Sequence, residues 1–213
     1  MRRSSPLASF LTLLPIVLFG CTTFSLGEQS GVLPIQKQRR ASEATLLVAM
    51  FSYAPEDPKD PADLTQTDLA RWQQLVTSGI DQSNIFAKVE AAPESGTPSQ
   101  GDYVLGGRIT RFRFQKNWVP TFFPLHLGLT FFTFTAYTLF GGPTTATVVR
   151  FATEFELRRA DSGEQILAFD ESYRSTRAVN VYSKGVENPY DNPNLVFARV
   201  IESASMKIAA ALP

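Results

Sequence analysis

Apolar and polar residues alternate most regularly in the second half of the chain. Apolar side chains recur at alternate positions, at Val149, Phe151, Phe155 and Leu157. The positions between them include Arg150, Glu154 and Glu156, so the pattern is typical of a strand with one buried and one wet face. The residues 161–163 (Asp-Ser-Gly) predict a turn, and renewed alternation over 166–181 predicts the antiparallel partner strand.

Three further strands are predicted before this hairpin. A continuous apolar run covers residues 45–53 and ends before a proline-rich stretch, which favours a buried strand. Residues 85–89 predict a short strand, and residues 102–114 predict a long one. The alternation of the long strand changes phase near Gly106 and Gly107, and such glycines are typical of a β-bulge or a close backbone approach.

Two amphipathic helices are predicted, over about residues 60–78 and 192–211. Each begins with a capping residue followed by proline in the first helical position: Asp60 before Pro61, and Asn192 before Pro193. Runs of antiparallel strands with two such helices indicate an α+β fold, with an antiparallel or mixed sheet and both helices on one face. One domain is expected, over residues 43–213.

A hydrophobic insert, residues 118–141, interrupts this pattern between two strands. No charged residue occurs between Lys116 and Arg150, and Pro124 argues against a simple spanning helix although the segment is long enough for one. Three interpretations stay open: a core segment, a contact with one membrane leaflet, and an interface for a protein partner or for self-association. The candidate contact residues are Trp118, Phe122, Phe123, Phe131, Phe132, Phe134, Tyr137 and Phe140.

The first 20 residues have the order of a bacterial signal peptide. Arg2 and Arg3 precede an apolar run over residues 6–19, which ends in Leu-Phe-Gly before Cys21, the only cysteine. This ending resembles a lipobox, and the resemblance implies a thioether-linked diacylglycerol on Cys21, followed by cleavage and acylation of the new amino terminus. The alternative is an ordinary secretory peptide that happens to end near a cysteine.

Lipidation at Cys21 would anchor the mature protein, because two or three acyl chains hold a protein stably on a membrane. Residues 21–42 are then expected to be a flexible tether between the lipid and the domain. The residue after the cysteine is Thr22 and not Asp, which by resemblance to the sorting rule of Gram-negative lipoproteins implies the periplasmic face of the outer membrane.

Composition excludes several classes of site. Removal of Arg2 and Arg3 with the signal peptide leaves 18 basic and 20 acidic residues, a net charge of about −2 that attracts neither nucleic acid nor anionic lipid. The single histidine, His126, lies between leucines in the insert and cannot form a transition-metal site by itself. Asp170 and Glu171 are adjacent on a strand and therefore point to opposite faces. No cofactor, metal or catalytic residue is expected, and the protein is predicted not to be an enzyme.

Three segments together resemble a superfamily of envelope proteins: residues 83–89 (Ser-Asn-Ile-Phe-Ala-Lys-Val), 102–109 (Asp-Tyr-Val-Leu-Gly-Gly-Arg-Ile) and 157–164 (Leu-Arg-Arg-Ala-Asp-Ser-Gly-Glu). This superfamily contains the curli secretion channel lipoprotein, the penicillin-binding-protein activator lipoproteins and the amino-terminal domain of TolB. Auxiliary lipoproteins of ABC-type transporters are the near alternative. The resemblance implies a non-enzymatic envelope lipoprotein that assembles with partners.

The sequence therefore predicts an outer-membrane lipoprotein that is an accessory or assembly subunit of an envelope transport, secretion or polymer-export complex. The alternative is a lipid-handling protein whose Phe-rich insert contacts or carries acyl chains. On the long strand, Arg108, Thr110 and Arg113 could form a polar groove, and an ordinary wet sheet face explains them equally well.

Overall fold

In the computed structural model of the protein, one mixed β-sheet carries two helices on the same face. The structure describes residues 22–23, 26, 33–56, 64–93, 101–118, 136, 145–179 and 188–212. The strands are β1 (Thr22–Thr23), β2 (Thr45–Val48), β3 (Ser52–Tyr53), β4 (Lys88–Ala91), β5 (Tyr103–Trp118), β6 (Thr145–Arg159) and β7 (Gln165–Val179). The helices are α1 (Gln66–Ser83) and α2 (Asn194–Ala211).

The sheet is built around β5, in the order β4-β2-β5-β6-β7. One edge of β5 pairs successively with β2 and β3, both parallel, and with β1, antiparallel. The other edge pairs along its whole length with β6, which pairs with β7. Helix α1 packs on β2 and β4, α2 packs on β6 and β7, and the helices contact each other, so both cover one face. The predicted α+β fold is confirmed.

The hairpin predicted from the alternating pattern is β6 and β7. Val149, Phe151, Phe155 and Leu157 are all buried, whereas Arg158 at the end of the strand is exposed. Gly163 in the connecting turn has φ 70°, a left-handed conformation that glycine adopts without steric cost. A single buried face is enough to fix this register, because a slip of one residue would turn every apolar side chain outwards.

The long strand β5 has the close backbone approach that its glycines indicate, whereas its register shift lies further along than they indicate. Gly107 has φ 156°, and its α-carbon approaches the main chain of Glu154 on β6, which is the predicted close approach. The phase of the alternation changes further along, where the register shifts between Ile109 and Arg111. Ile109 and Phe112 are consequently both buried on the helix side, although three positions separate them.

The apolar run 45–53 forms two strands, not the single predicted one. Val48 pairs with Leu105 and Ser52 pairs with Arg108. Ser52 is four residues after Val48, whereas Arg108 is only three residues after Leu105 on β5. The extra residue prevents continuous pairing, which divides the run into β2 and β3.

The predicted short strand at 85–89 is displaced, because β4 begins at Lys88. The carbonyl oxygen of Ile85 accepts hydrogen bonds from the backbone N–H groups of Ala41 and Ser42, both 3.0 Å long. Ile85 and Phe86 are buried in the connection that precedes the strand. Their apolar character therefore reflects packing in a loop and not membership of the sheet.

The predicted start of the first helix was wrong. Helix α1 begins after Thr65, whose hydroxyl oxygen accepts from the N–H of Asp68 while the Asp68 carboxylate accepts from the N–H of Thr65, at 3.2 Å and 3.0 Å. This reciprocal capping box fixes the start of the helix, and Asp60 and Pro61 lie outside the described residues. The helix continues past Ser78 to Ser83, and Asn84 ends it in the left-handed conformation (φ 63°).

The second helix begins close to its predicted position. Pro193, not Asn192, is the capping residue, and no side chain caps the first turn. Between the helices and the sheet, Trp72 of α1 has no exposed surface and packs edge-on against Phe151 of β6 and Phe197 of α2, with ring centroids 4.9 Å and 5.7 Å apart. This aromatic cluster joins the two helices to the centre of the sheet.

Candidate functional site

Described residues next to the predicted anchor and next to the hydrophobic insert lie at one end of the sheet. Trp118, the last residue of β5, pairs with Thr145, the first of β6, and Thr145 pairs with Val179, the last of β7. We call this edge, defined by these three residues, the insert end. Strand β1 joins β5 close to it, with Thr22 opposite Lys116. The residue that follows Cys21 and both attachment points of the insert are thus at the same end of the sheet.

Most of the candidate contact residues fall outside the described part of the chain. Trp118 is described only as the terminal residue of β5. The residues outside the description are Cys21, Phe122, Phe123, His126, Phe131, Phe132, Phe134, Tyr137 and Phe140. Their predicted roles in lipidation and contact stay predictions, whereas the position of the insert between two paired strands is confirmed.

The sheet has a second polar surface, the face turned away from α1 and α2, which we call the outer face. Its charged residues on the three long strands are Arg108, Arg111, Arg113, Arg150, Glu154, Glu156, Arg158, Asp170 and Arg174. They are not evenly mixed. The three acids lie towards the β6–β7 turn, and a group of arginines lies nearer the insert end.

The acidic part of the outer face is organised around one ion pair. The Arg108 guanidinium donates two hydrogen bonds to the Glu154 carboxylate, the second one 2.9 Å long. This hydrogen-bonded carboxylate raises the pKa of Arg108 above its ordinary value, and the charge of Glu154 acts in the same direction. Asp170 stands beside Glu154 in the register, and a shallow cavity of about 560 Å³ opens here, lined by Ser52 among others.

The basic part of the outer face is a row of three arginines. Arg113 of β5 is opposite Arg150 of β6, and Arg150 is opposite Arg174 of β7. From the sequence, Arg113 and Arg150 were predicted on wet strand faces, whereas Arg174 was not singled out. Their alignment across three strands depends on the register shift after Ile109, which the sequence did not reveal. Thr110, grouped with Arg108 and Arg113 as a candidate groove, is buried and does not belong to this face.

Asp170 and Glu171 lie on opposite faces of β7, as the period of the strand predicts. The Glu171 carboxylate is turned towards α2, where it accepts a hydrogen bond from the Ser203 hydroxyl and pairs with the Lys207 ammonium, both at 2.8 Å. Within the described ranges, no group of three or more His, Cys, Asp and Glu residues could hold a metal ion. Among the helices described, none is long and apolar enough to cross a membrane.

Comparison with known proteins finds solved structures that resemble this chain. No family model matches the chain, and no curated protein matches it. Protein XCC0632 from Xanthomonas campestris is 11% identical, with 83% of this chain and 89% of that chain covered at a TM-score of 0.47. Lipoprotein GNA1162 from Neisseria meningitidis is 11% identical, with 78% and 99% covered at a TM-score of 0.36.

The PelC dodecamer from Paraburkholderia phytofirmans is also similar in structure, at 14% identity, with 76% of this chain and 87% of that chain covered and a TM-score of 0.38. Lipoproteins thus occur among the solved structures that resemble this chain, and every TM-score given is below 0.5. The particular superfamily named from the sequence motifs stays a prediction.

Proposed function

We propose that this protein is a lipid-anchored envelope lipoprotein whose insert end faces the membrane. The observation that carries the proposal is the pairing of β1 with the end of β5. Thr22 is opposite Lys116, only two residues before Trp118, a separation of about 7 Å along an extended strand. Cys21 is covalently next to Thr22, about 3.8 Å along the chain. An acyl chain on Cys21 would therefore enter the bilayer close to the point where the hydrophobic insert leaves the sheet.

This arrangement favours contact over core for the insert. Its attachment points, Trp118 and Thr145, are cross-strand neighbours, so the segment between them is a single long connection between two strands. A connection that leaves the sheet at the anchored end would be presented to the leaflet or to a membrane-bound partner. Large exposed apolar segments of soluble proteins are usually covered by such a contact.

The proposed role is that of a non-enzymatic accessory or assembly subunit in an envelope transport, secretion or polymer-export complex. The support is the motif resemblance of residues 83–89, 102–109 and 157–164 to assembling envelope lipoproteins. Thr22 in place of Asp after the lipidated cysteine supports the periplasmic face of the outer membrane as the location.

Site-specific photo-crosslinking in intact cells tests this orientation. Ala178 is exposed near the insert end, and Ser162 is exposed in the β6–β7 turn. About 13 strand residues, or about 40 Å, separate the two ends of β7. A photoreactive residue at Ala178 is expected to give adducts with lipid or a membrane-bound partner, whereas the same residue at Ser162 is expected to give no lipid adducts. Equal lipid labelling at the two positions would contradict the proposed orientation.

A further inference from the structure

Three arginines on neighbouring strands are aligned on the outer face, which is an unfavourable arrangement. Arg113, Arg150 and Arg174 occupy one row of the register. Residues directly opposite each other on paired strands have β-carbons about 4.5–5.5 Å apart, and like charges at such positions destabilise the sheet. Arg150 has a like charge on both sides.

The other arginines of this face have acidic partners. Arg108 pairs with Glu154, Arg111 with Glu56 at 2.8 Å, and Arg158 with Glu156 at 2.8 Å. In the part of the chain that the structure describes, no carboxylate pairs with any arginine of the row. The row therefore differs from a mixed, solvated surface.

The central arginine of the row, Arg150, is partly buried. The Nε atom of Arg150 is buried, and the described residues offer it no acceptor. Arg113, beside it, donates from its Nε to the Gln115 side-chain oxygen at 2.8 Å, which leaves its terminal nitrogens for another acceptor. A buried donor without an acceptor destabilises the folded protein. The positive charge of the row and the terminal nitrogens of Arg113 are therefore available to an external anion.

We propose that the row formed by Arg113, Arg150 and Arg174 is a binding site for phosphate groups, either free phosphate or the phosphate of a lipid headgroup. A planar guanidinium presents paired N–H donors that match two phosphate oxygens. A phosphate group offers more acceptor oxygens than a carboxylate, which suits three adjacent guanidinium groups. Arg113 is three residues from Lys116, and hence about 10 Å along β5 from the position paired with Thr22.

The phosphate part of this proposal stands on the geometry of the row alone, and only the lipid-headgroup source rests on the proposed membrane anchoring. Loss of anchoring in a Cys21 variant would refute the anchor and leave the phosphate site standing. Loss of phosphate binding in a correctly anchored protein would refute the phosphate site and leave the anchor standing.

The first experiment uses the full lipidated protein in a neutral detergent and measures its unfolding temperature. Sodium phosphate is expected to raise this temperature by about 3 °C relative to sodium chloride of equal ionic strength, because a ligand that binds only the folded state stabilises it. Arg150→Gln and, separately, the exposed Arg174→Gln are expected to abolish the difference. The matched control is Arg108→Gln, which removes the same charge from the same face outside the row and should keep it.

The second experiment identifies the source of the phosphate. Native mass spectrometry of the same detergent-solubilised protein compares phosphatidylglycerol with phosphatidylcholine, which has no net charge. For a headgroup site, phosphatidylglycerol should bind at least tenfold more tightly to the wild type and Arg108→Gln than to Arg174→Gln. For a free-phosphate site, phosphate stabilisation should persist without this lipid preference. The proposal is wrong if Arg108→Gln and the row variants respond alike to both phosphate and lipid.

Discussion

The main-chain oxygen of Glu154 on β6 occupies the space that a β-carbon on Gly107 of β5 would need. The φ angle of Gly107, 156°, is also one that residues with side chains rarely adopt. The strands can approach this closely only because Gly107 has no side chain. The Arg108–Glu154 ion pair, one residue further along, depends on the same close approach.

Gly107→Ala is therefore expected to destabilise the protein by about 3 kcal/mol, from the combined cost of backbone strain and overpacking. The control is Gly106→Ala, because a β-carbon on Gly106 would meet only the Ala49 methyl group, at an ordinary 3.7 Å. Its expected effect is within about 1 kcal/mol of zero. Denaturant unfolding of both variants checks the difference, and similar costs at the two positions would contradict this account of the strand approach.

Phe155 and Glu154 test the two faces of β6. Phe155 is 1% exposed and packs against Phe51 and Phe169, with ring centroids 5.6 Å and 5.3 Å apart. Phe155→Ala is expected to cost about 3–5 kcal/mol because it leaves a cavity. Glu154→Ala, which removes only a surface ion pair, is expected to cost at most about 1 kcal/mol. Equal free-energy changes in urea unfolding would be inconsistent with the alternation of buried and wet positions.

Replacement of residues 121–141 by a short Gly/Ser loop tests the role of the insert. Because Trp118 and Thr145 are cross-strand neighbours, a short loop can span the junction without disturbing the sheet. A contact segment predicts a folded domain with a near-normal unfolding temperature that no longer binds its partner or the leaflet. Circular dichroism and membrane pull-down measure the two properties.

If the insert is part of the core, its replacement is expected to unfold the protein. Each large apolar side chain contributes about 1.5–3 kcal/mol when buried. A domain has only about 5–15 kcal/mol of net stability. If the insert were core, the shortened protein would not fold, and the contact interpretation would be wrong.

Cys21 and Thr22 test the anchor and its destination separately. Cys21→Ser is expected to give an unprocessed or soluble periplasmic form, because no acyl chain can be attached. Thr22→Asp is expected to leave lipidation intact and to move the protein to the inner membrane, by resemblance to the lipoprotein sorting rule. Mass spectrometry and density-gradient fractionation after a high-salt wash distinguish these results. A Cys21→Ser protein of unchanged mass that still sediments with membranes would rule out the lipid anchor.

The sequence by itself determined those elements whose hydrophobic pattern and turn or capping residues agree within a short segment of the chain. The β6–β7 hairpin follows from the alternation at Val149–Leu157 and the turn glycine at position 163, because burial of one face leaves a single register. The second helix follows from its apolar stripe. The predicted start of the first helix was wrong because Asp60-Pro61 gives a good local start signal. The capping box of Thr65 with Asp68 instead satisfies two backbone N–H donors at once, those of Thr65 and Asp68.

The candidate sites required tertiary structure. Cys21 and the uncharged insert are visible in the sequence. The placement of Thr22 beside the end of β5, where the insert begins, depends on the pairing of Thr22–Thr23 with β5, which is too short for any periodic signal. The arginine row likewise depends on the register shift after Ile109, which turns Arg113 onto the outer face in line with Arg150. Sequence determines which side chains are available and which face each strand buries. Only long-range strand pairing decides which of them become neighbours, because register is set by contacts between residues distant in the chain.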